Sequence, residues 1–170
     1  GTARGAWVDR EQSWRKANVA ASLWCIAVGI AVIALWLSEP ARLAAHYPFL
    51  FGMKFNSALA VIVIGAALLA MTRGFRHLPA LMMVPVFAYG AVALAQHLFG
   101  IDAGIDTALH TPFTDIRTSL PGRIAPNTAA CYMMVSVALF LRAYRQKSDA
   151  VQIVLGLATF IIAAAAFIGY

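Results

Sequence analysis

Charged residues are scarce in this sequence. Only 12% of its 170 residues are charged, with seven acidic and 13 basic side chains, whereas 62% are hydrophobic. Soluble domains average about 25% charged residues, which help to cover a water-facing surface. The mean hydropathy of +0.77 therefore excludes an ordinary soluble domain and predicts an integral membrane protein whose outer surface faces lipid. We interpret the net charge of +6 as a determinant of membrane orientation, not as a nucleic-acid-binding surface.

Cysteines and catalytic motifs are also scarce. The two cysteines, Cys25 and Cys131, both lie inside apolar stretches, which excludes a disulfide framework and favours buried free thiols. The sequence has no phosphate loop, no His-Glu-x-x-His and no Gly-x-Ser-x-Gly. Pumps and transporters usually keep a charged residue within a span, and none lies in the middle of an apolar stretch here. We therefore predict no catalytic residue and no metal site, and the sequence identifies no cofactor.

Five apolar stretches alternate with polar connections. They cover about residues 19–37, 56–71, 79–99, 127–144 and 151–168, lengths that suit transmembrane helices. Trp24 and Trp36 lie near the ends of the first stretch, where aromatic side chains anchor to headgroups. The sequence thus predicts an all-α polytopic bundle of five spans over residues 18–170, after a cytoplasmic N-terminal segment at 1–17.

A short pattern occurs twice. Asn-Ser-Ala at 56–58 opens the second stretch, and Asn-Thr-Ala at 127–129 opens the fourth, 71 positions later. An Ala-Leu pair begins eleven residues after each asparagine. The pattern predicts about two tandem helix-pair repeats, with Asn56 and Asn127 at equivalent depth. The two asparagines could be helix N-caps, or they could flank one outward-facing pocket.

The basic residues divide unequally between alternate connections. One set contains nine, namely Arg4, Arg10, Arg15, Lys16, Arg73, Arg76, Arg142, Arg145 and Lys147, and the other contains Arg42, Lys54, Arg117 and Arg123. The positive-inside rule places the richer set in the cytoplasm. The N-terminus is then cytoplasmic, whereas the connections at 41–54 and 100–126 face outward.

The connection at 100–126 is the only long one, and long loops without secondary structure are often functional. Asp102 and Asp106 would share a face if this stretch were helical, and Arg123 could pair with them. The alternative is a solvated loop whose salt bridges contribute little. We predict a pocket beneath this loop, between stretches two, three and four. The candidate ligand-binding residues are Asn56, Gln96, His97, Asp102, Asp106, Arg123 and Asn127.

The histidines raise a redox alternative. His46, His97 and His110 would all lie on the outer side and could converge around a haem or a quinone, although their spacing matches no recognised metal pattern. His77 and His97 stand at opposite ends of the third stretch, about 30 Å apart as a helix, and could not ligate one iron together. A structural accessory subunit of a larger membrane complex is a third possibility.

Three stretches resemble a family of bacterial sensors. They are FGMKFNSAL at 51–59, LFGIDAGID at 98–106 and PGRIAPNTA at 121–129. They are similar to P-M-K-F-N-T-A-L, L-F-G-x-D-x-G-I-D and P-G-R-M-x-P-N-T-A-L in the MASE class of integral membrane sensors. Gln96 and His97 stand where that pattern has a Glu-aromatic pair.

The resemblance implies a sensory or anchoring region that precedes a signalling module. In the MASE class such regions come before PAS, histidine kinase, GGDEF or EAL modules. A protein of this kind would lie in the bacterial inner membrane, with the lipid bilayer around it. It would act as a homo-oligomer, as a dimer, and would relay a signal to a C-terminal cytoplasmic module.

Overall fold

The computed structural model describes residues 3–38, 46, 52–109, 122–144 and 149–168. These residues form five α-helices, and no β-strand occurs among them, which confirms the all-α prediction. The helices are α1 (Ala3–Leu37), α2 (Phe55–Thr72), α3 (His77–Phe99), α4 (Pro126–Ala143) and α5 (Asp149–Ile168).

Three helices are long and apolar enough to cross a membrane. They are the part of α1 at Gln12–Leu37, together with α2 and α3. The apolar part of α5, Ala150–Ala165, is shorter, and the first turn of α4 contains the polar residues Asn127 and Thr128. The helices therefore indicate a membrane protein, and the number of five spans stays a prediction.

α1 continues through the predicted boundary at residue 17. It contains 35 residues and is therefore about 52 Å long, more than the roughly 30 Å thickness of a bilayer core. Residues 6–28 contain neither glycine nor proline, so nothing in this range interrupts the helix. The two tryptophans differ: Trp24 is exposed, whereas Trp36 is buried and donates a hydrogen bond to the Met53 carbonyl at 3.0 Å. The interfacial role predicted for Trp36 is therefore wrong.

α2 and α4 have the same length and begin in the same way. Each contains 18 residues and carries its asparagine, Asn56 or Asn127, at the second helical position. The N-caps are instead Lys54 and Ala125, which are extended and make no side-chain capping hydrogen bond. The N-cap prediction is therefore wrong. At Ala125 the reason is Pro126, because a residue before proline is held extended and proline suits the first helical position.

The sequence predicts close helix packing at small residues, notably Gly65, Gly90, Ala93 and Gly156, and two helix pairs show it. A Cβ added at Gly65 of α2 would lie 2.8 Å from the Ser22 carbonyl of α1, and one at Gly90 of α3 would lie 2.8 Å from the Ala129 carbonyl of α4. Gly29, which sequence reasoning missed, approaches α2 in the same way. Helices in lipid associate where their backbones can approach. The most extensive packing is accordingly between α1 and α2 and between α3 and α4.

The predicted packing role of Gly156 is wrong. This glycine of α5 is exposed, and no atom of the described residues lies within 4 Å of its Cβ position. Ala93, by contrast, is fully buried, as predicted for a helix contact.

We predict that Gly90→Leu destabilises the bundle, because a larger side chain would collide with the backbone of α4. Overpacking of this kind should lower the unfolding temperature in detergent by at least about 5 °C. Gly156→Leu is the matched control and should leave this temperature unchanged. Equal unfolding temperatures for the two variants would contradict the packing described here.

Candidate functional site

A buried ion pair lies where α3 leads into the long connection and α4 begins. The Nε of Arg123 lies 3.0 Å from the Oδ2 of Asp106, and each side chain is only 5% exposed. The Nη2 of Arg123 also donates a hydrogen bond to the Ile101 carbonyl at 3.1 Å. A buried ion pair needs such additional hydrogen bonds to offset the cost of removing both charges from water.

Two glycines shape the turn that carries Asp106. Gly100 ends α3 in the left-handed conformation (φ 64°), and Gly104 is also left-handed (φ 68°), a region that glycine enters without steric cost. The Gly104 amide donates to the Oδ1 of Asp102 at 3.0 Å. This stretch is a series of turns and not a helix, so the expected shared helix face of Asp102 and Asp106 is absent.

Gln96 connects α3 to both carboxylates. Its side chain is completely buried. Its Nε2 lies 3.1 Å from the Oδ2 of Asp106 and 3.4 Å from the Oδ1 of Asp102. A carboxylate accepts hydrogen bonds and cannot donate them when ionised, so the amide nitrogen must face the two carboxylates. The carbonyl end of Gln96 therefore points away from them.

Asn56 connects α2 to the same turn. Its Nδ2 donates to the Ile105 carbonyl at 2.9 Å and lies 3.4 Å from the Asp106 carbonyl. Because Asn56 occupies the second position of α2 and not the N-cap, its side chain is free to reach sideways to these carbonyls. The start of α2 is thus fixed to a loop about 50 residues further along the chain.

Two further hydrogen bonds join α4 and the residues just before it to α2 and α3. The Tyr132 hydroxyl donates to the Ser57 carbonyl of α2 at 3.2 Å. The Nε2 of His97, near the end of α3, lies 2.7 Å from the Ile124 carbonyl. A carbonyl only accepts hydrogen bonds, so Nε2 carries the proton in this contact. The ends of α2, α3 and α4 therefore meet at one level.

Five of the seven candidate residues meet in one group, which we call the polar cluster: Asn56, Gln96, Asp102, Asp106 and Arg123. Asp102 lies at the exposed edge of the cluster. Its side chain is 70% exposed, and its Oδ1 lies 3.6 Å from the Nη2 of Arg123. The solvated-loop alternative fits Asp102 but not the buried Asp106.

The other two candidates lie outside the polar cluster. His97 contacts the Ile124 carbonyl. Among the described residues, the Oδ1 of Asn127 accepts a hydrogen bond from the adjacent Thr128 amide at 2.9 Å. The two asparagines therefore share a helical position, but within this part of the chain only Asn56 binds the turn after α3.

Sequence reasoning missed Tyr89. Its hydroxyl is buried, and Ser57 and Asp106 are among the groups that interact with it. Tyr89 precedes Gln96 by seven residues, which is two helical turns on one face. That spacing is the signal that could have added Tyr89 to the candidates.

The structure adds little support to a haem or quinone site formed by the histidines. The Nε2 of His97 is engaged by the Ile124 carbonyl, His46 is exposed, and His110 lies outside the described residues. Within the part of the chain that the structure describes, no three His, Cys, Asp or Glu side chains group in a way that could hold a metal ion.

A separate apolar groove lies between α3 and α4, towards their opposite ends. Its volume is about 300 Å³. It is lined by Met83, Val84, Phe87, Ala88, Ser136, Val137, Phe140 and Leu141. The groove lies among apolar side chains and not beneath the long connection, so it is distinct from the pocket that the sequence predicts.

Comparison with known proteins adds no family to this description. No protein-family model, curated protein or solved structure matches the chain. The polar cluster brings a carboxylate, two amides and a guanidinium close together, buried at helix ends.

We predict that Asp106→Ala destabilises the protein strongly, because it leaves the buried Arg123 without its carboxylate. The loss should be about 3–5 kcal/mol. Asp102→Ala is the matched control, and it should cost at most about 1 kcal/mol because an exposed ion pair contributes little. Unfolding of both variants in detergent would measure the difference. Equal losses would show that burial of Asp106 does not have the energetic role assigned to it.

Proposed function

We propose that this chain is the membrane-embedded sensory region of a bacterial signalling protein similar to the MASE class. Its output module, a histidine kinase or a c-di-GMP enzyme, would follow at the C-terminal side in the cytoplasm. One observation carries the proposal: the three stretches on which the resemblance rests, 51–59, 98–106 and 121–129, meet in the polar cluster. Each contributes at least one of its residues.

The convergence strengthens the resemblance for a physical reason. Three short sequence matches are individually weak, because each could arise by chance in an apolar chain. Here Asn56 binds the turn that contains Asp106, and Asp106 binds Arg123. The matched positions therefore build one three-dimensional joint between α2, α3 and α4, which favours a shared architecture over three unrelated coincidences.

The proposal includes five spans in the inner membrane with a cytoplasmic N-terminus. The α2–α3 turn supports this orientation, since its Arg73 and Arg76 are exposed and basic residues favour the cytoplasmic side. The polar cluster then faces the periplasm. The matching lengths and starts of α2 and α4 support two tandem helix-pair repeats.

The proposed mechanism relays a periplasmic signal along α3. A ligand at the polar cluster would change the output only if its affinity differs between two arrangements of the helices. α3 runs from Gln96 in the cluster to His77 beside the cytoplasmic turn, so a movement of this helix would be felt on both sides of the membrane. A homodimer would pass the movement to the output modules.

The orientation can be tested by cysteine labelling of the intact protein in cells, after Cys25 and Cys131 have been replaced by alanine. Phe75 and Ala103 are both exposed and lie on opposite connections. A membrane-impermeant maleimide should label Ala103→Cys, whereas Phe75→Cys should react only after the cells are opened. The reverse pattern would reject the proposed orientation.

The sensory function can be tested in the full-length protein. The reading frame should continue past Tyr170 into a kinase or c-di-GMP module, and Arg123→Ala should change kinase or c-di-GMP output in membranes. Asp102→Ala serves as the control at the exposed rim and should have the smaller effect. A reading frame that lacks such a module would refute the proposal. So would unchanged output from an Arg123→Ala protein that inserts at normal levels.

A further inference from the structure

The apolar groove between α3 and α4 is open to the surroundings of the bundle. Val84, Phe87 and Phe140 on its sides are 54%, 38% and 41% exposed. Its volume of about 300 Å³ is at the lower end of the range of ligand pockets, about 300–1,000 Å³. Ser136 is the single polar residue among those that line it. In a bilayer an apolar groove of this size suits one hydrocarbon chain, and the ends of the groove identify the molecule that carries the chain.

The groove lies within one half of the membrane. Ala88, at its inner end, is eleven positions after His77, the first residue of α3, which is about 16 Å along the helix. Ser136 is eight positions before Tyr144, which directly follows α4, or about 12 Å. Half of a bilayer core measures about 15 Å. With His77 and Tyr144 at the interface, the groove therefore extends to about the depth of one leaflet.

Aromatic contacts connect the groove to this interface. The ring of Tyr144 packs against Phe140 of the groove with centroids 5.0 Å apart. It also meets the ring of His77 edge-on, with centroids 6.0 Å apart. Tyr144 is 47% exposed, and tyrosines at helix ends lie at the level of the lipid headgroups. The wall of the groove therefore continues to the helix ends, where a headgroup would lie.

The helix ends at this interface carry positive charge. Arg73 and Arg76 precede α3, Arg142 lies in the last turn of α4, and all three are exposed. No aspartate or glutamate occurs in residues 72–78 or 139–144. A guanidinium group donates paired hydrogen bonds to phosphate oxygens, and basic clusters between membrane helices bind anionic lipid headgroups. Charge complementarity therefore favours a lipid with a net negative headgroup over a zwitterionic one.

We infer that the α3–α4 groove and these arginines bind one anionic phospholipid of the surrounding bilayer. One acyl chain lies in the groove against Phe87 and Phe140, and Arg76 and Arg142 hold the phosphate at the helix ends. The site rests on the placement of α3 and α4 across the bilayer that is part of the proposed function. It does not rest on a signalling output, so its binding can be measured without any output module.

The test is native mass spectrometry of the intact protein in detergent micelles. The micelles contain equal amounts of dioleoylphosphatidylglycerol and dioleoylphosphatidylcholine, which share their acyl chains and differ in headgroup charge. Thermal unfolding with each lipid gives the dissociation constants, because a ligand that binds the folded state raises the unfolding temperature. We expect one bound phosphatidylglycerol, held at least about fivefold more tightly than phosphatidylcholine.

Charge variants locate the headgroup. Each basic residue near an anionic headgroup strengthens binding about fivefold, so Arg76→Gln combined with Arg142→Gln should weaken phosphatidylglycerol binding at least about tenfold. Phosphatidylcholine binding should stay the same. Arg15→Gln combined with Lys16→Gln is the matched control. It removes the same charge from exposed positions of α1, which packs against α2, and should keep the selectivity.

A groove variant locates the acyl chain. Ala88 is an exposed residue of the groove lining, and Ala88→Trp should fill the groove and weaken the binding of both lipids at least about fivefold. Leu59→Trp, at an exposed position of α2 outside the groove, is the control and should bind as the wild type does. Should Ala88→Trp not fold, Val137→Trp fills the groove from α4.

Four outcomes would overturn the inference. Equal affinity of the wild type for the two lipids would mean that the arginines select no headgroup. Equal losses in the two charge variants would indicate attraction by net charge alone. Unchanged binding in the groove variant would place the chain elsewhere. A copurified apolar molecule or a second copy of the protein that excludes both phospholipids would be the true occupant.

These failures are distinct from failure of the proposed function. Loss of lipid selectivity leaves the signalling proposal intact if the reading frame encodes an output module. Selective binding of phosphatidylglycerol by a protein whose gene lacks such a module would refute the signalling function and keep the lipid site.

Discussion

The buried pair of Asp106 and Arg123 constrains the arrangement of the other elements around it. Neither charge can stay buried without several hydrogen bonds, and the chain provides them from separate places. Gln96 reaches Asp106 from α3, and the Ile101 carbonyl accepts from Arg123. To make these contacts the chain must turn back sharply after α3, which the left-handed conformation of Gly100 permits. The start of α4 is then fixed by its distance along the chain from Arg123.

Sequence reasoning predicts the features that depend on local composition. Long apolar stretches identified the helices, because a spanning segment must be apolar over its whole length. The composition of the polar cluster was also predictable, since ionisable residues are few and concentrate in one connection. Burial was not predictable: Asp102 and Asp106 look alike in sequence, yet Asp102 is 70% exposed and Asp106 is almost completely enclosed. The turn at Gly104 separates the two residues. The contacts that bury Asp106 are tertiary, so no periodicity in the sequence reveals them.

The two asparagines show how similar local sequences acquire different roles. Asn56 and Asn127 occupy the same helical position after an extended N-cap, so the local sequence sets the start of each helix. The tertiary contacts of each asparagine then determine its role. Asn56 faces the turn after α3 and binds its carbonyls, whereas Asn127, among the described residues, accepts from the adjacent Thr128 amide. A repeated motif therefore predicts a repeated helix start, and it does not by itself predict a repeated binding site.

The polar cluster lies where two closely packed helix pairs meet, α1 with α2 and α3 with α4. Backbones approach closely between α1 and α2 at Gly65 and between α3 and α4 at Gly90, and such contacts leave little room for sliding. α2 and α3 pack less extensively against each other, and near the cluster the two pairs are joined by the hydrogen bonds of Asn56 and Tyr132. Hydrogen bonds can exchange partners at a small free-energy cost, whereas close backbone contacts resist rearrangement. A rearrangement of these hydrogen bonds would therefore move one helix pair against the other and leave each pair intact.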